Sequence, residues 1–181
     1  MSFDLENIVQ QCKLQQPEAQ QVLYDIYKGK LYAICLRYIK DTAEAEDVFI
    51  EGFHKIFNKI ADFKEIGSFE GWMRRIMVNE SLMYLRKNQL KHQIVPIPDT
   101  DIADEIVLSE DDNSLEFNEI MAVMDRLPVG YRTVFNLYVF EDMKHREIAE
   151  HLGISINTSK SQYLLAKKKI LELLEMNKIK S

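Results

Sequence analysis

The sequence predicts an all-α protein of two small helical domains joined by an acidic linker, and three observations carry that prediction. Glycine and proline number only 6 and 4 in 181 residues, so the usual punctuation of sheets and hairpins is missing. Apolar residues recur at three- and four-residue steps over most of the chain, the spacing of a buried helix face. Between residues 99 and 119 stand nine acids and no lysine or arginine, a charge run without period that separates two patterned regions.

Taken in order, residues 5–15 and 17–39 read as helices, the second with Pro17 in its first turn, where a missing N–H costs nothing. Its apolar face holds Val22, Leu23, Ile26, Tyr27, Leu31, Ile34 and Cys35. Either Asp41 or Thr42 caps a third helix to about residue 60, with Val48, Phe49, Phe53, Ile56 and Phe57 at helical spacing. The pattern breaks over 61–68 around Gly67, and Ser68-Phe69-Glu70-Gly71 opens a fourth helix to about residue 88. Residues 1–90 therefore form the first domain. Pro96, Pro98 and the acid run make 91–113 a linker, and 114–181 form the second domain. Its helices fall near 115–126, 129–140, 144–151 and 156–176, with Leu127-Pro128 dividing the first pair. Gly153-Ile154-Ser155 joins the last two, the connection of a helix-turn-helix.

Charge looks adverse to nucleic acid at first, since the chain is formally -6. Removing the nine acids of 99–119 from the total of 29 leaves 20 acids against 23 bases, or +3. Two windows hold the excess: 72–92 carries Arg74, Arg75, Arg86, Lys87 and Lys91 against Glu80, and 160–180 carries six lysines against two glutamates. No run of about 18 apolar residues exists to span a bilayer. The N-terminus has no basic stretch followed by an apolar one, so the expected compartment is the cytoplasm without membrane insertion. Cys12 and Cys35 match neither a redox pair nor a zinc framework and read as buried thiols.

An enzyme is disfavoured on similar grounds. His145 and His151 are six apart, about 240° round a helix, so the HExxH geometry of a zinc site is not met. No glycine-rich phosphate loop or nucleophile elbow is present, and no cofactor, metal ligand or catalytic residue is expected.

The motifs that remain suit nucleic acid. In the helix-turn-helix, Ala149 permits close helix crossing, Gly153 takes the positive φ of the turn, and Ile148, Leu152 and Ile154 supply core contacts. Ser155 or Asn157 caps the following helix, whose first turns carry Asn157, Thr158, Lys160, Ser161 and Gln162, polar groups suited to base edges and phosphates. Lys167 and its two successors extend a phosphate-seeking stripe. In the first domain Phe69, Trp72, Arg75, Asn79, Tyr84 and Arg86 mix aromatics with cations beside the 61–68 loop, a surface for unstacked bases. Trp72 and Ile76 read as core, whereas Arg75, Asn79 and the loop are the better functional candidates.

Residues 41–53 resemble the polymerase-clamp-binding helix of extracytoplasmic-function sigma factors. Phe69-Glu70-Gly71-Trp72-Met73-Arg74-Arg75 through Arg86 resembles their minus-ten-reading helix, and Leu127-Pro128 through Ile170 their minus-thirty-five-reading domain. The resemblance implies docking on core RNA polymerase through Asp47, Glu51, Phe53 and His54. It implies capture of a flipped minus-ten base by Phe63, Gly67, Ser68, Arg75, Asn79 and Arg86. Asn157, Thr158, Lys160, Ser161, Gln162 and Lys167 would read the upstream duplex, with Thr158, Ser161 and Gln162 on one face and Lys160 flanking it. The linker would pass through polymerase channels, and an anti-sigma factor would be a further partner. Ile50, Ser159, Gln162 and Leu165 depart from the family's common residues. Two other readings, an operator-binding regulator and a sigma-like decoy for an anti-sigma protein, explain fewer of these motifs.

Overall fold

A computed structural model describes residues 5–89 and 123–178. All regular structure among them is helical, and the chain divides into two compact units at His92 and Gln93.

The first unit comprises α1 (Leu5–Lys13), α2 (Pro17–Tyr38), α3 (Thr42–Lys59), a 3₁₀ turn (Ile60–Asp62) and α4 (Phe69–Gln89). Each boundary has a local cause. Gln15 turns left-handed at φ 58, and its N–H bonds the Cys12 carbonyl at 2.9 Å, closing α1 two residues earlier than its periodicity suggests. Pro17 starts α2. Of the two candidate caps for α3, Asp41 fills the role, its Oδ1 accepting from the Glu44 N–H at 3.0 Å.

Leu23, Leu31 and Tyr38 of α2, Ala45 and Ile56 of α3, and Met73 and Met77 of α4 form the interior. A Cβ on Gly52 would collide with the buried Met77 thioether, so glycine is what lets α3 and α4 approach so closely. Cys12 and Cys35 are fully buried free thiols, as their patterns require. Burial raises both, Cys35 to about 11, which keeps them protonated and unreactive.

In the second unit Val123 and Met124 are helical and the rest of the helix expected at 115–126 lies largely outside the described residues. Then follow α5 (Val129–Val139), α6 (His145–Leu152) and α7 (Ile156–Lys178). Pro128 precedes α5, and the Lys144 N–H at the head of α6 donates to Glu147 Oε2 at 2.7 Å. Gly153 sits at φ 68, ψ 34, so the glycine of the turn is left-handed as expected. Val123, Met124, Leu127 and Phe135 pack on Ala166, Ile170, Leu173 and Leu174, which fixes the buried side of α7.

Candidate nucleic-acid interface

On α3, Asp47, Ile50, Glu51 and His54 are exposed at three- and four-residue steps and make one stripe. Ile50 is its apolar member, 62% exposed. Phe53 does not belong to this stripe. It is buried, with its ring 4.9 Å from Tyr24 and 5.1 Å from Phe49, and packs α3 against α2.

The α4 face is assembled from several expected residues. At about 100° per residue, Arg75, Asn79 and Arg86 fall within about 40° of one another, on the side of α4 away from buried Met73 and Met77. Arg75 and Arg86 are exposed and Asn79 is half-buried. Trp72 lies within about 60° of Arg75 on the same side and is half-buried, as is Ile76, so neither is the full core residue its apolar character suggests.

The 63–68 loop leads into the first turn of α4. Gly67 has φ 87, a conformation that favours glycine, and Ser68 Oγ accepts from the Gly71 N–H at 3.3 Å, capping α4. Phe63 is not displayed to solvent. Its buried ring packs 5.1 Å from Phe69 and 5.5 Å from Trp72, while Phe69 and Trp72 stack at 5.6 Å. These three rings are the floor on which the loop rests.

On α7, Ser155 is the cap, accepting the Thr158 N–H at 2.9 Å and sharing a 2.8 Å hydroxyl contact with Thr158 Oγ1. Asn157 and Ser161 lie roughly opposite the buried Ser159, and Lys160 flanks them. Asn157 and Lys160 are exposed, whereas Ser161 Oγ donates to the Thr158 carbonyl at 3.1 Å. Gln162 stays on the expected side of α7, about 40° round from Thr158, but its amide turns toward a neighbouring helix. Its amide lies against the start of α5, where a Cβ on Gly130 would stand 3.1 Å from Gln162 Oε1. Lys167 flanks the helix as well, its Nζ 5.8 Å above the Tyr163 ring.

Two features have no signal in the sequence. His145 Nδ1 is 3.0 Å from the buried Ser159 Oγ, and its ring stacks on Tyr138 at 4.6 Å and meets Tyr163 at 5.7 Å, tying α5, α6 and α7 together. Burial, and then the Lys160 charge, lower the pKa of His145. Glu65, at φ 61 in the first unit's loop, accepts hydrogen bonds from Gln10 and Lys13 of α1. Among the described residues no group of three histidine, cysteine or acidic side chains is placed to hold a metal ion, and no helix is long and apolar enough to cross a membrane.

Residues 23–91 match the family model for sigma-70 region 2, and residues 117–170 that for sigma-70 region 4. The chain is similar to the ECF RNA polymerase sigma factor SigW of Bacillus subtilis, at 28% identity over 90% of this chain and 92% of that one. It is also similar to the RNA polymerase sigma-H factor of Pseudomonas aeruginosa, at 26% identity over 82% of each. The sigma factor RpoE of Bartonella quintana, solved with the anti-sigma factor NepR, shares the fold at a TM-score of 0.52 and 20% identity, covering 86% of this chain and 96% of that one.

Proposed function

The chain belongs to the extracytoplasmic-function group of the sigma-70 family and serves promoter-specific transcription initiation, and from that premise we propose how its surfaces divide the work. The stripe of Asp47, Ile50, Glu51 and His54 docks on core RNA polymerase, with Phe53 supporting it from within. The 63–68 loop with Arg75, Asn79 and Arg86 takes single-stranded minus-ten DNA. Cations on one side of a helix hold the phosphates, and the half-buried Asn79 amide offers both donor and acceptor to a flipped base. Phe63 belongs to the floor beneath that site and not to its contact surface.

The start of α7 enters the major groove of the minus-thirty-five duplex, with Asn157 and Ser161 toward base edges and Lys160 and Lys167 toward phosphates. Thr158 orders the cap, and Gln162 braces α7 on α5. Residues 1–90 and 114–181 act as the two domains, and the acids of 91–113 lie along polymerase surfaces that otherwise attract nucleic acid. The protein works in the cytoplasm as a subunit with no chemistry of its own. The anti-sigma complex of its structural relative supports an anti-sigma factor as a second partner.

The single observation that carries this division is the alignment of Arg75, Asn79 and Arg86 along one side of α4, whose first turn meets a loop resting on three aromatic rings. An operator-binding regulator has no use for that surface. Mixing with core RNA polymerase is the test: specific transcription appears only with core enzyme, and the free chain shifts the same duplex weakly. Strong duplex binding without polymerase, and no transcription with it, contradicts the proposal.

A further inference from the structure

The loop before α4 is held at three points. Buried Phe63 anchors its start and the Ser68 cap its end. The third point is Glu65, whose φ of 61 is a conformation that residues with a side chain adopt rarely and keep only where their surroundings enforce it. Its Oε1 accepts from Gln10 Nε2 at 2.9 Å and from Lys13 Nζ at 2.8 Å, partners 55 and 52 residues away on α1. Lys13 Nζ is also 6.0 Å from the centre of the Phe63 ring, so one cation meets both the loop's floor and its turn. Immediately after this contact Ile66 stands 85% exposed, and Gly67 turns the chain back at φ 87.

A loop with two left-handed residues and an outward apolar tip has several alternative paths, and its ordering costs conformational entropy. The α1 contacts select one path. We propose that α1 is a latch for the minus-ten surface: Gln10 and Lys13 hold Glu65, and through it they set where the Ile66-Gly67-Ser68 tip meets the flipped base. Ile66 supplies an apolar surface to the base face, and Glu65 is a positioning residue that does not itself touch DNA. This rests on the assignment of the loop to minus-ten DNA. Lys13, through its hydrogen bond and its charge, holds the Glu65 carboxyl below the usual carboxylate range, so that carboxylate remains ionised at neutral pH. The Glu65 side chain is 55% exposed and that of Lys13 20%, so salt weakens the latch.

The test uses holoenzyme made from the full chain and core RNA polymerase, transcribing a library randomised over the minus-ten element only. Lys13→Glu and Glu65→Lys are each expected to lower base preference at one minus-ten position by roughly two- to fivefold, the scale of one exposed ion pair. Combining them restores the pair with reversed charges and returns the preference to within about twofold of wild type. Thermal stability of the first unit and the upstream preference stay unchanged throughout. Glu65→Gln keeps the side chain's length and one acceptor, and falls between wild type and Glu65→Lys. If both single variants keep the full profile while Asn79→Ala alters it, the loop reads the base without a latch and this proposal fails alone. If Asn79→Ala is silent as well, the minus-ten assignment fails and the latch with it. Losses that track a lowered melting temperature, with no recovery in the combined variant, make α1 a folding element and also overturn the proposal.

Discussion

The face proposed for minus-ten DNA depends on residues far apart in sequence, since Gln10 and Lys13 hold Glu65 from 55 and 52 residues away. The face proposed for upstream DNA is set within a few turns, by the left-handed Gly153, the Ser155 cap and a His145–Ser159 contact spanning 14 residues. The difference follows from the two tasks. A duplex groove accepts a preformed helix, which local capping can aim. A flipped base needs a concave site, and an irregular loop acquires a fixed shape only from tertiary contacts. Substitutions distant in sequence should therefore disturb the first surface, and neighbouring ones the second.

Phe63→Ala should give the largest effect, because it removes a ring from a buried three-ring cluster. A loss of about 3 kcal/mol is expected from the first unit's stability in urea, with the second unit's transition unmoved. Equal loss from both units would break the comparison by showing that they unfold as one. On the other surface Asn157→Ala should change preference at one upstream base pair by roughly 1–3 kcal/mol, whereas Gln162→Ala should leave the profile nearly intact because its amide lies on α5. A profile reshaped by Gln162→Ala and not by Asn157→Ala would mean that α7 enters the groove on its other side.

Smaller effects sharpen the contrast. Ser155→Ala removes the acceptor of the Thr158 N–H and should cost about 1 kcal/mol of second-unit stability, read by chemical denaturation. The smallest expected effect is a pH dependence confined to that unit. His145 is harder to protonate in the folded chain than in the unfolded one, so between its folded value and about 6.5 the unfolded state binds more protons. The stability this group provides is therefore fully present above about pH 6.5 and falls as pH drops below it. Melting curves across that window should slope for the wild type and flatten for His145→Phe. Parallel slopes would show that the histidine has no part in the joint.

The helices were legible because their ends carry local chemistry: Asp41 before α3, Ser68 before α4, Gly153 and Ser155 around the turn. Side-chain direction was less legible. Phe53 and Phe63 are aromatic residues beside segments proposed to be functional, and periodicity does not tell a ring facing DNA or a partner from one facing Tyr24 or Trp72. Gln162 lies near the edge of the α7 face, where a modest rotation separates the groove from α5. Ser159 looks like a mere departure from the family's common residue until His145 is seen beside it. The Glu65 contacts had no signal at all, since an ion pair across more than fifty residues leaves no period or motif.

The central claim is that two separately built surfaces perform separate steps, and one experiment meets it directly. Holoenzymes carrying Asn79→Ala or Lys160→Ala transcribe the same promoter as a closed duplex and as a template already melted across the minus-ten element. The account predicts that melting offsets much of the Asn79→Ala loss, because the few kcal/mol of unstacking are then supplied in advance. The Lys160→Ala loss should persist on both templates, with the salt slope reduced by about 1. Equal losses for the two variants on both templates would contradict it.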